Sequence, residues 1–197
     1  MAILVAHRGF RSPDGENRMI DFENALKVCQ AEEFDIRLTK DQQIIIFHDD
    51  TFERIGGVNI KVNSLTYEEI KELPFFKENP ISLQPLLSTF TEQLSSSYQM
   101  INVEIKEELE RLYTTNEELE IIFNGINKLS QTAAAEIIVS SFAANLLAEI
   151  NKRITNYCTN EKRLLIWRTK RLSINLCNNF WLYSSMKWNC ISKSNDW

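Results

Sequence analysis

Short apolar runs alternate along the chain with segments that have helical spacing. The run Ala2 to Ala6 ends in the polar residues His7-Arg8-Gly9, as a buried strand does when it delivers its last side chains into a site. Apolar residues then recur at i, i+3, i+4 and i+7 between Phe22 and Cys29, which predicts a helix with one apolar face. The capping-box sequences Thr66-x-x-Glu69 and Thr115-x-x-Glu118 predict two further helix starts.

A short polar turn joins two strand-like segments in the first quarter of the chain. Phe34 to Thr39 alternates apolar and polar residues, and Ile44 to Phe47 is rich in β-branched residues. A connection as short as Lys40 to Gln43 permits only an antiparallel hairpin. If the last residue of the first segment pairs with the first residue of the second, Asp35 lies opposite His48.

Strands that alternate with helices favour a parallel sheet with helices outside it, and an α/β fold of the (β/α) TIM-type barrel is the predicted architecture. Eight strands close such a barrel, which typically has about 250 residues. The 197-residue chain is therefore expected to form an incomplete barrel with about six of the eight strands plus the hairpin arm. The six strand candidates lie near Val5, Asp35, Val103, Ile138, Leu165 and Leu182.

The strand count also bears on domain organisation. We expect residues 1–197 to form a single domain that lacks the final two barrel units. The first strand, near Val5, would then lose one neighbour and expose its edge. Because an unpaired strand edge is a template for pairing with another chain, this expectation includes self-association through the open edge.

Composition places the chain among ordinary globular proteins. The net charge is −5, with 44% hydrophobic and 25% charged residues, and no apolar run approaches the length of a membrane-spanning helix. The start of the chain lacks the pattern of a signal peptide, so a cytoplasmic location is the default expectation. The four cysteines are widely spaced, which argues against a zinc site or a disulfide framework.

Positive charge is concentrated at the end of the chain. Residues 151–197 contain nine Lys or Arg residues against two acidic residues. Only Trp167 lies among the basic residues between Lys162 and Arg171 as a stacking aromatic, so we interpret this segment as a solvated face and expect no nucleic-acid partner.

The chain has two histidines, and both follow strand candidates. His7 comes after the first apolar run and His48 after the second strand of the hairpin, where a barrel of this class presents its active site. Two imidazoles suffice for acid–base chemistry near neutral pH, because one takes a proton from a nucleophile while the other gives a proton to a leaving oxygen.

Carboxylates follow the same strands. Glu33 and Asp35 are two residues apart, a spacing that places both side chains on one face of a strand, and Glu104 with Lys106 repeats the arrangement on a later strand. Buried carboxylates are costly unless a cation neutralises them. Three carboxylates form a hard oxygen site suited to Mg²⁺ or Ca²⁺, whereas zinc prefers nitrogen and sulfur ligands.

Seven short motifs occur in order between His7 and Phe142. They are His7-Arg8-Gly9, Gly15-Glu16-Asn17, Glu33-x-Asp35, Leu38-Thr39-Lys40-Asp41, His48-Asp49 with Arg54, Asn102-x-Glu104-Ile105-Lys106 and Ser141-Phe142. In this order they resemble the motifs of the glycerophosphodiester phosphodiesterase family. The resemblance covers Met1 to about Tyr157 and is looser beyond that point.

The resemblance implies a (β/α) barrel that uses a divalent cation to hydrolyse glycerophosphodiesters to glycerol 3-phosphate and an alcohol. Carried over by position, the acid–base pair is His7 and His48, and the metal ligands are Glu33, Asp35 and Glu104. The implied substrate-binding residues are Arg8, which contacts the phosphate, and Lys106, which adds positive charge beside it. This agrees with the chemistry, since a diester needs its anionic oxygens neutralised and its leaving alkoxide protonated.

Departures from the family pattern keep two other interpretations open. The closing W-T-x-N and G-[IV]-x-T-D-x-P strands of the family have no convincing counterpart in this sequence. The chain could therefore be a catalytically silent remnant that binds phosphate or metal. Alternatively, it could be a phosphodiesterase that acts on lysophospholipid. The short region from Asp50 to Pro80 argues against a bulky lipid-binding insertion and favours a small polar substrate such as glycerophosphocholine.

Overall fold

The computed structural model describes residues 3–13, 15–106, 115–157, 164–168, 175–177 and 180–183. Strands and helices alternate in it, as the sequence predicts. The strands are β1 (Ile3–His7), β2 (Ala31–Leu38), β3 (Ile44–Ile46), β4 (Met100–Ile105), β5 (Glu136–Ser141), β6 (Leu164–Arg168), β7 (Asn175–Cys177) and β8 (Phe180–Tyr183). The helices are α1 (Met19–Ala25), α2 (Glu53–Gly56), α3 (Tyr67–Lys71), α4 (Pro74–Glu78), α5 (Leu87–Gln93), α6 (Asn116–Thr132) and α7 (Ala144–Tyr157). Among the described residues, none of the helices has the length and apolar character needed to cross a membrane.

Both predicted capping boxes are confirmed. The hydroxyl of Thr66 accepts a hydrogen bond from the backbone N–H of Glu69 at 3.2 Å, and the Glu69 carboxylate accepts one from the Thr66 N–H at 2.8 Å. Thr115 and Glu118 form the same reciprocal pair at the start of α6. These bonds satisfy N–H groups that the first helical turn leaves without partners, which explains why the helices begin at these residues.

One sheet contains all the strands in the described part of the chain, in the order β6-β5-β4-β2-β1-β8-β7, with β3 attached to β2. The strands from β6 to β1 are parallel neighbours. Within the described residues β6 and β7 end the strand order without pairing to each other, so the sheet is open. An incomplete α/β barrel with a hairpin arm is thereby confirmed.

The predicted exposed edge at the first strand is wrong. β8 pairs with β1 in antiparallel register from Ile3 opposite Tyr183 to Ala6 opposite Phe180, and β7 pairs in turn with β8. This pairing gives the backbone groups of β1 the neighbour that we expected the strand to lose. The sixth predicted barrel strand is therefore present but runs antiparallel to the other five.

The hairpin is confirmed, but its register differs from the prediction by one residue. Leu38 pairs with Ile44, and the N–H of Phe47 bonds to the carbonyl of Asp35, so Phe47 rather than His48 lies opposite Asp35. Gln42 adopts a left-handed conformation with φ of 59°, which closes a three-residue turn. Such a turn shortens the connection by one residue, which shifts every pair along the arm.

The two largest of three apolar clusters hold the sheet, its helices and the loop of His48 together. The larger one lies between β2, β4, β5 and the helices, and contains the edge-to-face rings of Phe34 and Phe90 at 4.9 Å. The smaller one packs under the segment after β3. In it the ring centroids of Phe47 and Phe52 are 4.9 Å apart, and those of Phe52 and Phe76 are 5.8 Å apart. The smaller cluster fixes the loop that carries His48 against the hairpin arm.

The predicted solvated basic face lies largely outside the described side chains. The two described members form surface ion pairs: Lys152 contacts Glu149 at 2.6 Å and Arg153 contacts Glu120 at 2.8 Å. Cys29 is a free, half-buried thiol, and the side chains of the other three cysteines lie outside the described residues.

Candidate active site

The predicted site residues meet at the carboxyl ends of β1, β2 and β4. His7 ends β1 and pairs in register with Glu33, while Asp35 pairs with Glu104 on β4. Parallel strands bring their carboxyl ends to one edge, so residues that are far apart in sequence become neighbours there. The structure therefore assembles the residues that the sequence singled out.

Three buried carboxylates form the centre of the site. One oxygen from each of Glu33, Asp35 and Glu104 lies within 4.8 Å of the others. Glu33 is 1% exposed, and neither of its carboxylate oxygens has a hydrogen-bond partner among the described residues. Burial, reinforced by the charges of Asp35 and Glu104, raises the pKa of Glu33 well above its usual range. This donor set fits a hard divalent cation, which would compensate an otherwise unpaired buried acid.

Two cations flank the triad. Arg8 Nε lies 3.1 Å from Asp35 Oδ2, and Lys106 Nζ lies 2.9 Å from Asp35 Oδ1 and also contacts Glu104. Burial acts to raise the pKa of Asp35, but the charges of Lys106, Arg8 and His48 outweigh it and lower that pKa. Arg8 adopts a left-handed backbone conformation with φ of 62°, which turns the chain sharply after β1. An anion that enters the site would meet both cations.

His7 lies beside the acidic centre. Its Nε2 is 3.6 Å from Glu33 Oε2. Burial, together with the charge of Arg8, lowers the pKa of His7 to about 4. The imidazole is therefore neutral at pH 7 and has a lone pair with which it can accept a proton.

His48 is fixed by its own neighbours rather than by direct pairing with Asp35. Its Nδ1 lies 2.6 Å from Asp49 Oδ1, and its backbone carbonyl accepts a hydrogen bond from Arg37 Nε at 3.0 Å. Although the observed register differs from the predicted one by one residue, His48 still helps to lower the pKa of Asp35 electrostatically. The segment after β3 thus brings the second histidine to the same site.

The structure adds a buried carboxylate whose contacts the sequence did not predict. Glu16 is 1% exposed and accepts hydrogen bonds from Arg8 at 2.9 Å and from Arg54 at 2.6 Å, and its Oε2 forms an ion pair with Arg11 Nε at 3.0 Å. Burial acts to raise the pKa of Glu16, but its hydrogen bonds with Arg54 and Arg8 lower it overall. Glu16 and Arg54 both belong to the motifs found in the sequence. Their contact joins loops 38 residues apart, however, and the spacing of the motifs does not reveal it.

Comparison with known proteins identifies the chain. The model of the glycerophosphoryl diester phosphodiesterase family matches residues 7–171, which include every predicted site residue. The chain belongs to this family. The family resemblance inferred from the sequence is thereby confirmed, and members of the glycerophosphoryl diester phosphodiesterase family are phosphoric diester hydrolases.

Individual relatives agree with this assignment. A glycerophosphodiester phosphodiesterase of Bacillus altitudinis is 36% identical over 117 residues, which are 56% of this chain and 48% of that protein. The crystal structure of a glycerophosphodiester phosphodiesterase from Thermotoga maritima has a TM-score of 0.60 and 26% identity, over 83% of this chain and 61% of that one. An Oleispira antarctica phosphodiesterase, solved in complex with the product sn-glycerol-3-phosphate, has a TM-score of 0.63 at 20% identity, over 83% of this chain and 64% of that one. The chain thus spans about half to two thirds of the length of these relatives.

Proposed function

We propose that this chain hydrolyses glycerophosphodiesters to glycerol 3-phosphate and an alcohol with the help of a bound divalent cation. The observation that carries the proposal is the buried acidic triad, which lies next to His7 and between the cations Arg8 and Lys106. Neither carboxylate oxygen of Glu33 has a hydrogen-bond partner among the described residues. The membership of the chain in the glycerophosphoryl diester phosphodiesterase family supports this reaction type.

The charges of the site support a divalent cation. With all three carboxylates ionised, their charge of −3 would exceed the +2 of Arg8 and Lys106 and leave −1, and this excess of negative charge helps to raise the pKa of Glu33. A phosphodiester, itself an anion, would be repelled by that centre. Glu33, Asp35 and Glu104 would hold a divalent cation, and the centre would then have a charge of +1 and would attract the diester. When bound, Mg²⁺ or Ca²⁺ would supply stabilisation of negative charge on the phosphoryl oxygens.

The side chains of the protein provide the remaining chemistry. Arg8 and Lys106 bind and orient the anionic phosphate oxygens. His7 and His48 form the acid–base pair: one accepts a proton from the attacking water, and the other donates a proton to the oxygen of the leaving alcohol. The bond between phosphorus and that oxygen breaks as the bond to the water oxygen forms, so the products are glycerol 3-phosphate and the free alcohol.

The substrate we favour is a small, polar glycerophosphodiester such as glycerophosphocholine. Short helices occupy the segment from Asp50 to Leu86 and pack on the small apolar cluster under His48. Because this segment supports the loop of His48, it does not form a bulky insertion for binding a lipid chain. The Oleispira antarctica phosphodiesterase binds sn-glycerol-3-phosphate, the product that this reaction would release.

The test is release of glycerol 3-phosphate from glycerophosphocholine by the purified chain, with Mg²⁺ or Ca²⁺ and then with a chelator. Replacing either histidine by alanine should lower the rate by on the order of 10² or more, as loss of a general acid or base does. Glu53→Gln, which alters an exposed carboxylate on α2, serves as the matched control and should retain the wild-type rate. A parallel assay with lysophosphatidylcholine tests the lysophospholipid alternative. Tight binding of metal and phosphate without turnover would instead support a silent remnant.

A further inference from the structure

The carboxylate of Asp49 is shared between two donors. Its Oδ1 lies 2.6 Å from His48 Nδ1, and its Oδ2 accepts from Arg54 Nε at 2.6 Å. Burial acts to raise the pKa of Asp49, but the hydrogen bonds with His48 and Arg54 hold it far below its usual range. Asp49 is therefore ionised at neutral pH and can only accept hydrogen bonds.

An ionised Asp49 determines which nitrogen of His48 carries the proton. Since a carboxylate has no proton to give, the short contact requires that Nδ1 be the donor. In a neutral imidazole the other nitrogen, Nε2, then holds the lone pair. The contact thus selects one of the two tautomers of His48 and limits rotation of the ring.

Arg54 connects this pair to the other side of the site. Its Nη2 donates to Glu16 Oε1 at 2.6 Å, and the same oxygen accepts from Arg8 Nη1 at 2.9 Å. A continuous series of ionic contacts therefore runs from His48 to Arg8, the residue that we propose contacts the phosphate. Arg54 holds Asp49 in place for His48 and joins the loop after β3 to the loop after β1.

We propose that Asp49 is a positioning residue for His48. It fixes the imidazole as the tautomer with its proton on Nδ1, so that Nε2 exchanges the catalytic proton, and Arg54 anchors Asp49 through its second oxygen. The catalytic consequence rests on the proposed phosphodiesterase function. The tautomer of His48 does not, because it is set by contacts within the chain itself.

Nitrogen-15 NMR of the imidazole rings tests the tautomer directly, and the chain has only two histidines to assign. His7→Ala assigns the signals by elimination. We expect His48 to be protonated on Nδ1 in the wild-type chain, and Asp49→Ala to shift it toward the Nε2-protonated form that an unconstrained imidazole prefers. Asp49→Asn should give an intermediate result, because one amide oxygen must serve two donors. The spectra are read for the neutral ring, because the imidazolium carries a proton on both nitrogens. A neutral His48 with its proton on Nε2 in the wild type, or an unchanged tautomer in Asp49→Ala, would overturn the proposal.

The kinetic arm uses glycerophosphocholine as substrate. Asp49→Asn should lower kcat by roughly 10- to 10²-fold while KM changes less than about twofold, since orientation of an acid–base group acts on the chemical step. Glu53→Gln, four residues further on, should change neither parameter. A wild-type kcat in Asp49→Asn with a shifted tautomer would refute the catalytic role. An inactive wild-type chain with His48 protonated on Nδ1 would refute the hydrolase function and support the positioning of His48.

Discussion

The acidic triad leads to a prediction about stability that does not depend on turnover. A cation that binds the folded chain alone stabilises it by RT ln(1 + [M]/Kd), which is about 2.7 kcal/mol when the metal concentration is 100 times Kd. For a domain of 150–250 residues, each kcal/mol corresponds to about 2–4 °C in Tm. We therefore expect saturating Mg²⁺ or Ca²⁺ to raise the Tm of the wild-type chain by about 5–10 °C over the value with chelator.

Glu33→Gln is the decisive variant for this prediction. It replaces the one member of the triad that lacks a hydrogen bond in the described residues, and it removes a charge that burial and its neighbours Asp35 and Glu104 disfavour. The variant keeps two carboxylates against Arg8 and Lys106 and lacks the third, which ionises to hold a divalent cation in the wild type, so it binds that cation more weakly. We expect the variant in chelator to be at least as stable as the wild type, and the metal-dependent rise in Tm to be largely lost.

Differential scanning fluorimetry in chelator, Mg²⁺ and Ca²⁺ measures both effects on the same samples. Glu53→Gln removes an exposed carboxylate of similar size and should keep the full metal-dependent rise in Tm. An equal rise for Glu33→Gln and the wild type would refute the assignment of the triad as the metal site. A wild type without any metal-dependent rise would do the same.

Three further predictions concern the frame of the site. Phe52→Ala should lower the free energy of unfolding by about 3–5 kcal/mol in urea titrations, because it empties the centre of the cluster under His48, and a loss below about 1 kcal/mol would contradict that packing. Gly9→Ala should destabilise the chain and reduce activity, because Gly9 has φ of 76° and an added Cβ would lie 2.7 Å from Asp21 Cβ. Thermal unfolding followed by circular dichroism and the phosphodiesterase assay check this prediction. Wild-type values in both would argue against the left-handed turn at Gly9. Asp49 has a lowered folded-state pKa, so its contribution to stability is complete above about pH 4, near its unfolded pKa, and is lost as the pH falls through the folded-state value. The difference in unfolding free energy between wild type and Asp49→Asn should therefore narrow from pH 5 to pH 2, and a constant difference would contradict the ionised pair.

The centre of the site could be predicted from the sequence because the relevant residues are tied to strand ends. Alternation along β2 places Glu33 and Asp35 on one face, and the parallel order of strands then brings Glu104 beside them. The spacing of Glu33 and Asp35 is local in the sequence, and the parallel pairing of β2 with β4 is enough to bring Glu104 beside them. The pattern of residues alone therefore suffices to predict the acidic triad.

Other features depend on geometry that residue patterns do not encode. The register of the hairpin follows from a left-handed Gln42, a conformation for which glycine or asparagine is the usual signal. The apolar run at Phe180–Tyr183 predicts a strand but not its direction, so the sequence does not predict its antiparallel pairing with β1. The link from Arg54 to Glu16 joins two loops whose proximity results from the whole sheet.

Release of glycerol 3-phosphate from glycerophosphocholine is the decisive assay for a metal-dependent phosphodiesterase. We expect release by the purified chain with Mg²⁺ or Ca²⁺, loss of release on addition of chelator, and recovery when excess cation is restored. A folded chain that binds the cation, as judged by Tm, and yet releases no glycerol 3-phosphate would contradict the proposed function.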